Sequence, residues 1–276
     1  MKLATFSVSG SAPQVGLVEG DQVRPLTGFA DMKAAIAAGR AALQAASTGE
    51  ALPLASVELH APVPNPGKLI CIGLNYRDHA IESNMPIPTI PVVFNKFPDT
   101  VIAPGAEVII PKNTEKPDYE AELAFVMSAA PKHLTEANAM DYVFGYTIVN
   151  DVSARDFQLQ TSQWIMGKTF PTFCPMGPWI VTADELTDPH NLRIGLRIDG
   201  ETVQDSNTRE LIFNIPQLVA HLAQVIRFEP GDVVSTGTPP GVGMGRKPPR
   251  WLKAGETMTV FIEGIGELTN PCVAEA

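Results

Sequence analysis

The sequence predicts a mostly-β fold of the α+β type, with only a few helices. Strand-like stretches greatly outnumber helical ones along the 276 residues, and strands and helices do not alternate regularly. This lack of alternation disfavours a Rossmann or TIM-barrel architecture, and no stretch repeats at a fixed period. A chain of this length can bury a sizeable core, as one large domain or as a small domain followed by a large one.

The first part of the chain is predicted to be a small structural unit. Its strand-like stretches lie at residues 3–8, 15–18 and 22–26. A hairpin turn is predicted at 19–21, and an alanine-rich stretch over 31–46 predicts a helix. The segment 61–67 contains three prolines, which make it stiff and mark a domain boundary. The sequence therefore predicts a small N-terminal domain at residues 1–62 and a catalytic domain at 67–276.

The rest of the chain is predicted to be rich in strands. Predicted strands lie at residues 69–73, 92–97, 107–110, 119–127, 143–150, 179–182, 192–198, 233–236 and 258–262. Predicted helices lie at residues 75–84, 135–142 and 215–226. Because Pro86, Pro88 and Pro91 exclude regular structure, the first of these helices belongs to a loop-rich excursion.

Composition and charge restrict the expected partners and the expected compartment. The net charge of −10 and the pI near 5.0 argue against nucleic acid or an anionic membrane as a partner. Three widely spaced cysteines form neither a disulfide framework nor a structural zinc site, which fits a reducing compartment. No signal-peptide pattern and no membrane-spanning apolar run is present, so a cytoplasmic location is predicted.

Two carboxylates on one face of a strand are the first sign of chemistry. In a strand over 119–127, alternate residues from Ala121 to Met127 form an apolar row, while Glu120 and Glu122 share the opposite face. Such a pair repels itself unless a positive charge lies between the carboxylates, and a solvated sheet face is the alternative. Asp151, after the strand at 143–150, completes an all-oxygen set suited to Mg²⁺, Mn²⁺ or Ca²⁺, although Asp is also a common turn residue there.

A histidine and a carboxylate share a face of the helix predicted at 75–84. His79 and Glu82 are three residues apart, so that Glu82 can orient the imidazole of a general base. The alternative is an exposed pair without a role in catalysis. The nearby prolines favour a lid that closes over a site.

Two cations and a glycine-rich stretch follow these residues along the chain. Arg155 and Lys168 can face a metal-bound anion or lie solvated on the surface, and Gln158 shares the helix face of Arg155. The stretch 237–245 does not match a phosphate-binding loop, and its two prolines lack amide donors. It can instead form a wall whose backbone N–H groups approach a ligand oxygen.

Taken in order, these elements resemble the fumarylacetoacetate hydrolase family from about residue 69 to the end of the chain. The resemblance rests on Ile72-Gly-Leu-Asn-Tyr-Arg-Asp-His79 with Glu82, Asp118-Tyr-Glu-Ala-Glu122, Asn150-Asp-Val-Ser-Ala-Arg-Asp156, Gly167-Lys168, Gly177-Pro-Trp179, Gly231-Asp232, Thr236-Gly-Thr-Pro-Pro-Gly-Val-Gly243 and Gly264-Ile-Gly266. The number and order of these elements make it specific. The chain looks most like the shorter bacterial members of aromatic or sugar-acid degradation, such as acylpyruvate hydrolases and 2-hydroxyhepta-2,4-diene-1,7-dioate isomerases.

The resemblance implies a fold, a metal and a set of residue roles. The implied fold is a β-rich roll or sandwich with a small N-terminal domain, usually assembled as a homodimer. The implied ligands of Mg²⁺ or Mn²⁺ are Glu120, Glu122 and Asp151. The implied lid dyad that activates water is His79 with Glu82. The implied pocket residues are Arg155, Gln158 and Lys168, together with Thr238, which would contact a substrate carboxylate.

The resemblance implies hydrolysis of a C–C bond in an acylpyruvate-type 1,3-diketo acid, such as fumarylpyruvate, acetylpyruvate or a diketo sugar acid. The metal would chelate the substrate, His79 would take a proton from the attacking water, and Lys168 would lie beside the expelled pyruvate enolate. Decarboxylation of oxaloacetate, and isomerisation or hydration of a 2-oxo acid, use the same enolate and stay open. A protein that binds oxo acids without catalysis is the alternative of another class, which the presence of a base disfavours.

Overall fold

The structure, a computed structural model, describes residues 1–276 and is dominated by strands. In chain order the strands are β1 (Lys2–Ser7), β2 (Gln14–Glu19), β3 (Gln22–Pro25), β4 (Leu52–Pro53), β5 (Glu58–His60), β6 (Leu69–Gly73), β7 (Val92–Asn95), β8 (Val101–Ile102), β9 (Val108–Ile110), β10 (Pro117–Asp118), β11 (Ala121–Met127), β12 (Val143–Asn150), β13 (Ser153–Ala154), β14 (Cys174–Thr182), β15 (Arg193–Ile198), β16 (Glu201–Asn207), β17 (Val233–Ser235), β18 (Thr257–Ile262) and β19 (Gly266–Ala274).

The helices are few and short, as the sequence predicts. The α-helices are α1 (Met32–Ala38), α2 (Arg40–Ala45), α3 (Arg77–Glu82), α4 (Arg155–Gln158), α5 (Ile165–Lys168) and α6 (Ile215–Leu222). Single turns of 3₁₀ helix lie at Leu54–Ser56, Pro98–Thr100, Ala139–Tyr142, Thr208–Glu210 and Gly243–Gly245. None of the helices is long and apolar enough to cross a membrane.

The strands form two large sheets and one small ribbon. A 12-stranded sheet has the order β4-β3-β2-β1-β14-β12-β11-β17-β6-β7, with β5 beside β1 and β8 beside β14. A 5-stranded sheet has the order β16-β15-β18-β19-β9, and β10 pairs with β13. Because most neighbouring strands are antiparallel, the chain needs no helical crossover between them. The prediction of a mostly-β fold is confirmed.

Strand β11, which carries Glu122 and directly follows Glu120, lies in the middle of the large sheet and is buried on both faces. Leu123 and Phe125 pack into the core between the two large sheets, together with Val260 of the smaller sheet. Ala124 belongs to a second cluster that includes Ile36 of α1. Each fully buried large apolar side chain stabilises the fold by roughly 1.5–3 kcal/mol. The predicted apolar row is confirmed, whereas the alternative of a solvated face is wrong.

Residues 1–60 extend the large sheet. Strand β1 pairs antiparallel with β14, where Lys2 and Leu3 lie opposite Val181 and Ile180. Strands β2 and β3 form the predicted hairpin beside β1. Residues 1–60 and the rest of the chain therefore share one sheet. The predicted division into two domains at the proline-rich segment stays a prediction.

Several predicted elements differ from the observed ones, for local reasons. The helix predicted at 31–46 is two helices, because Gly39 breaks it with a φ of +81°. Most of the helix predicted at 135–142 is absent, since the Asn138 side chain accepts from both the backbone N–H and the hydroxyl of Thr135. Strands β16 and β19 were not predicted, because their polar sequences become strands only by pairing with β15 and β18.

Candidate metal-dependent active site

Glu120, Glu122 and Asp151 converge in the interior, with one ligand oxygen from each within 4.8 Å of the others. The convergence follows from strand pairing, because Asn150 at the end of β12 lies opposite Ala121 at the start of β11. That register places Asp151 beside both glutamates, and its N–H donates to the Glu120 carbonyl at 2.9 Å. Glu120 is 6% exposed, Glu122 1% and Asp151 0%.

Buried cations compensate these carboxylates. Lys168 Nζ lies 2.8 Å from Glu120 Oε2 and 2.7 Å from Asp151 Oδ2, and Arg155 Nη2 lies 2.6 Å from Glu120 Oε1. Burial alone would raise the pKa of Glu120, but Arg155 and Lys168 outweigh it and lower the pKa to about 2. Burial would likewise lower the pKa of Lys168, but Asp151 and Glu120 outweigh it and raise the pKa. Both cations are buried, so the alternative of a solvated surface position is wrong for Arg155 and for Lys168.

Two charged members of the site were not predicted. Lys96 follows β7, and its Nζ donates to Asp151 Oδ1 at 2.6 Å and to the Val152 carbonyl at 3.0 Å. Asp118 is fully buried, and its Oδ2 accepts from Arg155 Nε at 2.8 Å. No spacing rule identifies Lys96, because its partner lies 55 residues later in the chain. Asp118 stands in the Asp-Tyr-Glu-Ala-Glu element, but the partner of its carboxylate, Arg155, is 37 residues later and meets it only in the folded chain.

The residues of this site fit a divalent cation. The buried carboxylates are Asp118, Glu120, Glu122 and Asp151, and the buried cations are Lys96, Arg155 and Lys168. Four negative groups against three positive ones leave one negative charge in surplus, which is costly in a low-dielectric interior. Burial first, and then Asp151 and Glu120, raise the pKa of Glu122, so a proton there is one way to remove that surplus. A divalent ion on these oxygens is the other; it would turn the surplus into one positive charge, which an anionic ligand in the cavity would balance, and all-oxygen ligands suit Mg²⁺ or Mn²⁺.

Glu122 has one oxygen held by the protein and one left for a ligand. Its Oε2 accepts from the Ser235 hydroxyl and from the Gly237 N–H. Its Oε1 accepts no hydrogen bond from the protein, and Glu122 lines a cavity of about 200 Å³. The side chain is therefore oriented before any ion binds.

The glycine-rich stretch after β17 orients three carboxylates through its backbone. Gly237 N–H donates to Glu122 at 3.0 Å, Gly241 N–H to Glu82 at 3.0 Å, and Gly243 N–H to Asp118 at 2.6 Å. Gly237 has a φ of +99°, and a Cβ there would lie 2.9 Å from the Ile72 carbonyl oxygen. The predicted wall of backbone N–H groups exists, but the acceptors it meets are carboxylates of the protein itself.

His79 and Glu82 lie together on α3, as predicted. His79 Nδ1 is 3.2 Å from Glu82 Oε2, and His79 is only 8% exposed. Because an ionised carboxylate only accepts hydrogen bonds, Nδ1 carries the proton and Nε2 keeps a free lone pair. His79 lines the same cavity as Glu120 and Glu122. The alternative of an exposed pair without a role is therefore disfavoured.

One cavity of about 200 Å³ brings most of the predicted site residues together. The predicted residues that line it are His79, Glu120, Glu122, Arg155, Gln158, Lys168 and Thr238. Asp151 lies beneath Lys168, and Glu82 lies behind His79. Its apolar wall includes Phe94 and Trp164, whose rings meet edge to face at 5.5 Å. A larger groove of about 910 Å³ lies near α1, but no buried carboxylate lines it.

The pocket residues differ in what they have left to offer a ligand. Arg155 is committed to Asp118, Glu120 and Gln158, whose Oε1 accepts from its Nη1 at 2.8 Å. Gln158 therefore keeps both protons of its amide for an acceptor in the cavity. Thr238 Oγ1 donates its only proton to the Ala121 carbonyl at 3.0 Å. Its predicted contact with a substrate carboxylate stays a prediction.

Comparison with known proteins now decides the family. The sequence model for the C-terminal part of fumarylacetoacetate (FAA) hydrolase matches residues 68–273, which is most of the chain. The chain belongs to the fumarylacetoacetate hydrolase family. A second sequence model, described as Rv2993c-like, N-terminal, matches residues 1–62.

Members of the fumarylacetoacetate hydrolase family with named activities are similar over nearly the whole chain. The mitochondrial oxaloacetate tautomerase fahd2 of Xenopus laevis is 43% identical over 288 residues, covering 99% of this chain and 90% of that protein. The maleylpyruvate hydrolase of Sphingobium sp. SYK-6, solved with manganese (II) and pyruvate, is 30% identical with a TM-score of 0.83 and full coverage of both chains. The fumarylacetoacetate hydrolase of Exiguobacterium antarcticum is 33% identical with a TM-score of 0.87, also over both full chains.

Proposed function

We propose that this chain interconverts the keto and enol forms of a small 2-oxo diacid of the oxaloacetate type, with Mg²⁺ or Mn²⁺ at Glu120, Glu122 and Asp151. The observation that carries the proposal is the free Nε2 of His79 in the same small cavity as the buried carboxylates. A relative 43% identical to this chain is named an oxaloacetate tautomerase, which supports the same chemistry.

The metal, when bound, would supply a positive charge that stabilises negative charge on the oxygens of a 2-oxo acid. His79 takes the proton from C3 of the substrate, and the electron pair of that C–H bond forms the C2–C3 double bond. A proton is returned to the C2 oxygen, so the product is the enol and no atom is lost. The same imidazole carries the proton in the reverse direction, with Glu82 holding the ring through Nδ1.

The other residues of the cavity bind and orient the acid. Gln158 offers both amide protons to a substrate carboxylate. Lys168 places a permanent positive charge beside Glu120 and Asp151, close to where enolate charge develops. The cavity of about 200 Å³ is smaller than the roughly 300–1,000 Å³ of typical drug-sized sites, which favours a short acid.

Hydrolysis of an acylpyruvate is the second candidate. The His79–Glu82 pair favours it, because the same free Nε2 can take a proton from water instead of from carbon. Attack of that water on the distal carbonyl breaks the C–C bond, and the pyruvate enolate leaves and is protonated. The similarity to a maleylpyruvate hydrolase solved with pyruvate supports this candidate.

One comparison of substrates separates the two candidates. The purified protein is incubated with Mg²⁺ or Mn²⁺ and either enol oxaloacetate, acetylpyruvate or fumarylpyruvate. We expect faster loss of the enol absorbance of oxaloacetate than the metal alone produces, no release of CO₂, and no pyruvate from the diketo acids. Pyruvate release from a diketo acid without enol turnover would select hydrolysis. Turnover of none of the acids, with the metal bound, would support a non-catalytic binding protein.

We also propose that two copies of the chain associate through the edge of the large sheet. Strand β7 ends that sheet, and exposed apolar side chains lie on α3, on the loop between α3 and β7, on β7 and just after it. They are Ile81, Ile87, Ile90, Val93 and Phe97. Exposed apolar edges of this kind are typical of surfaces covered by another chain. Light scattering should give twice the mass of the chain, and Phe97→Glu should reduce it to the monomer; a monomeric wild type contradicts the proposal.

The compartment stays a prediction. The cytoplasmic location expected from the sequence is compatible with the absence of a membrane-spanning helix, which does not itself identify a compartment. The animal relatives are named as mitochondrial proteins, and that name applies to them.

A further inference from the structure

Strand β16 lies at the edge of the smaller sheet, yet two of its side chains are hydrogen-bonded to residues that adjoin the candidate active site. Gln204 and Ser206 are two residues apart, so they project from the same face of the strand. Gln204 is 1% exposed, and Ser206 is half-buried. Neither side chain lines the cavity that holds His79 and the carboxylates.

Gln204 holds the strand of the metal ligands against the glycine-rich loop. Its Oε1 accepts from the Ala121 N–H at 2.9 Å, and Ala121 stands between Glu120 and Glu122. Its Nε2 donates to Thr238 Oγ1 at 2.9 Å and to the Pro239 carbonyl at 2.8 Å. All these bonds join parts of the chain that are distant in sequence, so Gln204 fixes where β11 begins.

Ser206 holds the helix of the base. Its hydroxyl donates to Asp78 Oδ2 at 2.6 Å, while Asp78 Oδ1 accepts from the His79 N–H at 3.0 Å. The N-cap residue of α3, Tyr76, makes no side-chain cap bond, so Asp78 provides this function from inside the first turn. A helix of six residues does not persist without outside contacts. The orientation of His79 therefore depends on the Ser206–Asp78 bond at the start of α3 and on the Gly241–Glu82 bond at its end.

We propose that Gln204 and Ser206 are positioning residues, through which β16 sets the place of His79 relative to Glu120 and Glu122. One side chain of the strand is bonded beside the metal ligands, and the next on the same face is bonded beside the base. Two residues of a strand span about 7 Å. Because Gln204, Asp205 and Ser206 pair without interruption with Leu196, Gly195 and Ile194 of β15, this spacing is rigid. The proposal deepens the proposed function and rests on it for the activity and Mn²⁺-affinity readouts, whereas hydrogen exchange is independent of it.

Ser206→Ala tests the bond between Ser206 and Asp78, which holds the helix of His79. We expect kcat for the proposed turnover to fall about tenfold, since a hydrogen bond to a charged group is lost. KM and the affinity for Mn²⁺ should stay within about twofold of wild type, because the cavity and ligands do not contact Ser206. Ser206→Thr keeps the hydroxyl and should keep kcat. Asp205→Ala, which removes an exposed pair with Arg193 on the opposite face of the same strand, is the matched control and should change nothing.

Gln204→Met tests the bonds from Gln204 to Ala121, Thr238 and Pro239, which hold the start of β11 beside the proposed metal ligands. We expect the affinity for Mn²⁺ to fall about tenfold or more, because partners that orient ligands contribute factors of this size. Gln204→Glu keeps the acceptor for Ala121 N–H and loses the donors to Thr238 and Pro239, so its loss of affinity should be smaller. Equal Mn²⁺ affinity in wild type and Gln204→Met would overturn the positioning role of Gln204.

Hydrogen exchange gives a readout that does not need the activity. Ser206→Ala should raise the exchange rates of the amides of α3 by about tenfold, while the amides of β18 keep wild-type rates. If wild type turns over no acid, the proposed function fails, and the exchange rates still decide the positioning role. Wild-type exchange in α3 together with wild-type kcat in Ser206→Ala would overturn the inference. A loss of kcat in Ser206→Thr as large as in Ser206→Ala would also overturn it.

Discussion

The floor of the site and the helix above it are held in different ways. The proposed metal ligands Glu120, Glu122 and Asp151, which we call the floor of the site, lie at the centre of a 12-stranded sheet and are paired with cations from three separate parts of the chain. The proposed base, His79, stands on a six-residue helix that depends on side-chain and backbone contacts at each end. The proposed metal site and the proposed base therefore have separate supports. Substitutions in the floor should change metal affinity and stability, whereas substitutions in the helix should change turnover.

The largest expected effect is that of His79→Ala on turnover. Loss of a positioned general base should lower kcat by about 10²–10⁴-fold, with Mn²⁺ affinity within about twofold of wild type, because His79 is not a ligand in this arrangement. Steady-state kinetics and Mn²⁺ titration measure the two quantities. A parallel loss of kcat and Mn²⁺ affinity would contradict the separation between floor and helix. His133→Ala, an exposed histidine far from the cavity, is the control.

The next effect concerns the stability of the floor without metal. Lys96→Met leaves Asp151 with one cation instead of two, and removing one partner of a buried pair typically costs about 3–5 kcal/mol of unfolding free energy. Mn²⁺ should restore more stability to this variant than to wild type, since the ion replaces the lost charge. Urea unfolding with EDTA and with Mn²⁺ measures both values. Lys253→Met at an exposed position should change neither, and an equal gain from Mn²⁺ in variant and wild type would sink the idea.

A third effect concerns metal affinity. Glu122→Gln should weaken Mn²⁺ binding by more than about 100-fold, because a ligand oxygen is replaced by an amide while the partners of the floor are unchanged. The folded state should persist, since the raised pKa of Glu122 indicates that an uncharged group is tolerated there. Isothermal titration and a thermal melt measure these two outcomes. Glu267→Gln on the surface is the matched control, and unchanged affinity in Glu122→Gln would remove Glu122 from the ligand set.

The smallest effect is a pH dependence of stability that arises from the contact between His190 and the start of α6. His190 Nε2 accepts from the Ile215 N–H at 3.1 Å, and burial lowers the pKa of His190. A lowered folded pKa means that the unfolded chain binds the proton more readily, so stability is present above pH 6.5 and falls as the pH drops below it. The loss should not exceed about 1 kcal/mol, because one hydrogen bond is involved and solvent screens the partly exposed ring.

Urea unfolding at pH 7 and pH 5 tests this pH dependence. His190→Gln keeps an acceptor that does not titrate, and it should reduce the difference in unfolding free energy between the two pH values. The matched control is His221→Gln in α6, which makes no side-chain bond to a helix N-terminus. If His190→Gln leaves the pH difference as large as in wild type, protonation of His190 is not its source.

Local patterns in the sequence predicted much of the fold and of the site. The alternation along residues 119–127 separated the apolar row from Glu120 and Glu122, because a strand places successive side chains on opposite faces. Helical spacing paired His79 with Glu82 and Arg155 with Gln158, and both pairs are hydrogen-bonded in the structure. Asp151 and Lys168 were candidates from the residues themselves, and the resemblance to the fumarylacetoacetate hydrolase family implied their roles in one site. All these residues either lie close together in the sequence or belong to a recognisable motif.

Other features were decided only by the tertiary structure. Lys96 compensates Asp151, Gln204 bonds to Ala121, and Ser206 bonds to Asp78 across 55, 83 and 128 residues of sequence. No periodicity connects such residues, because strand pairing and sheet packing determine which side chains meet. The sequence by itself determined that carboxylates and a base exist at suitable local spacings. The tertiary structure decided which cations neutralise the carboxylates and which strand holds the base, since electrostatic and hydrogen-bond contacts depend on distance in space.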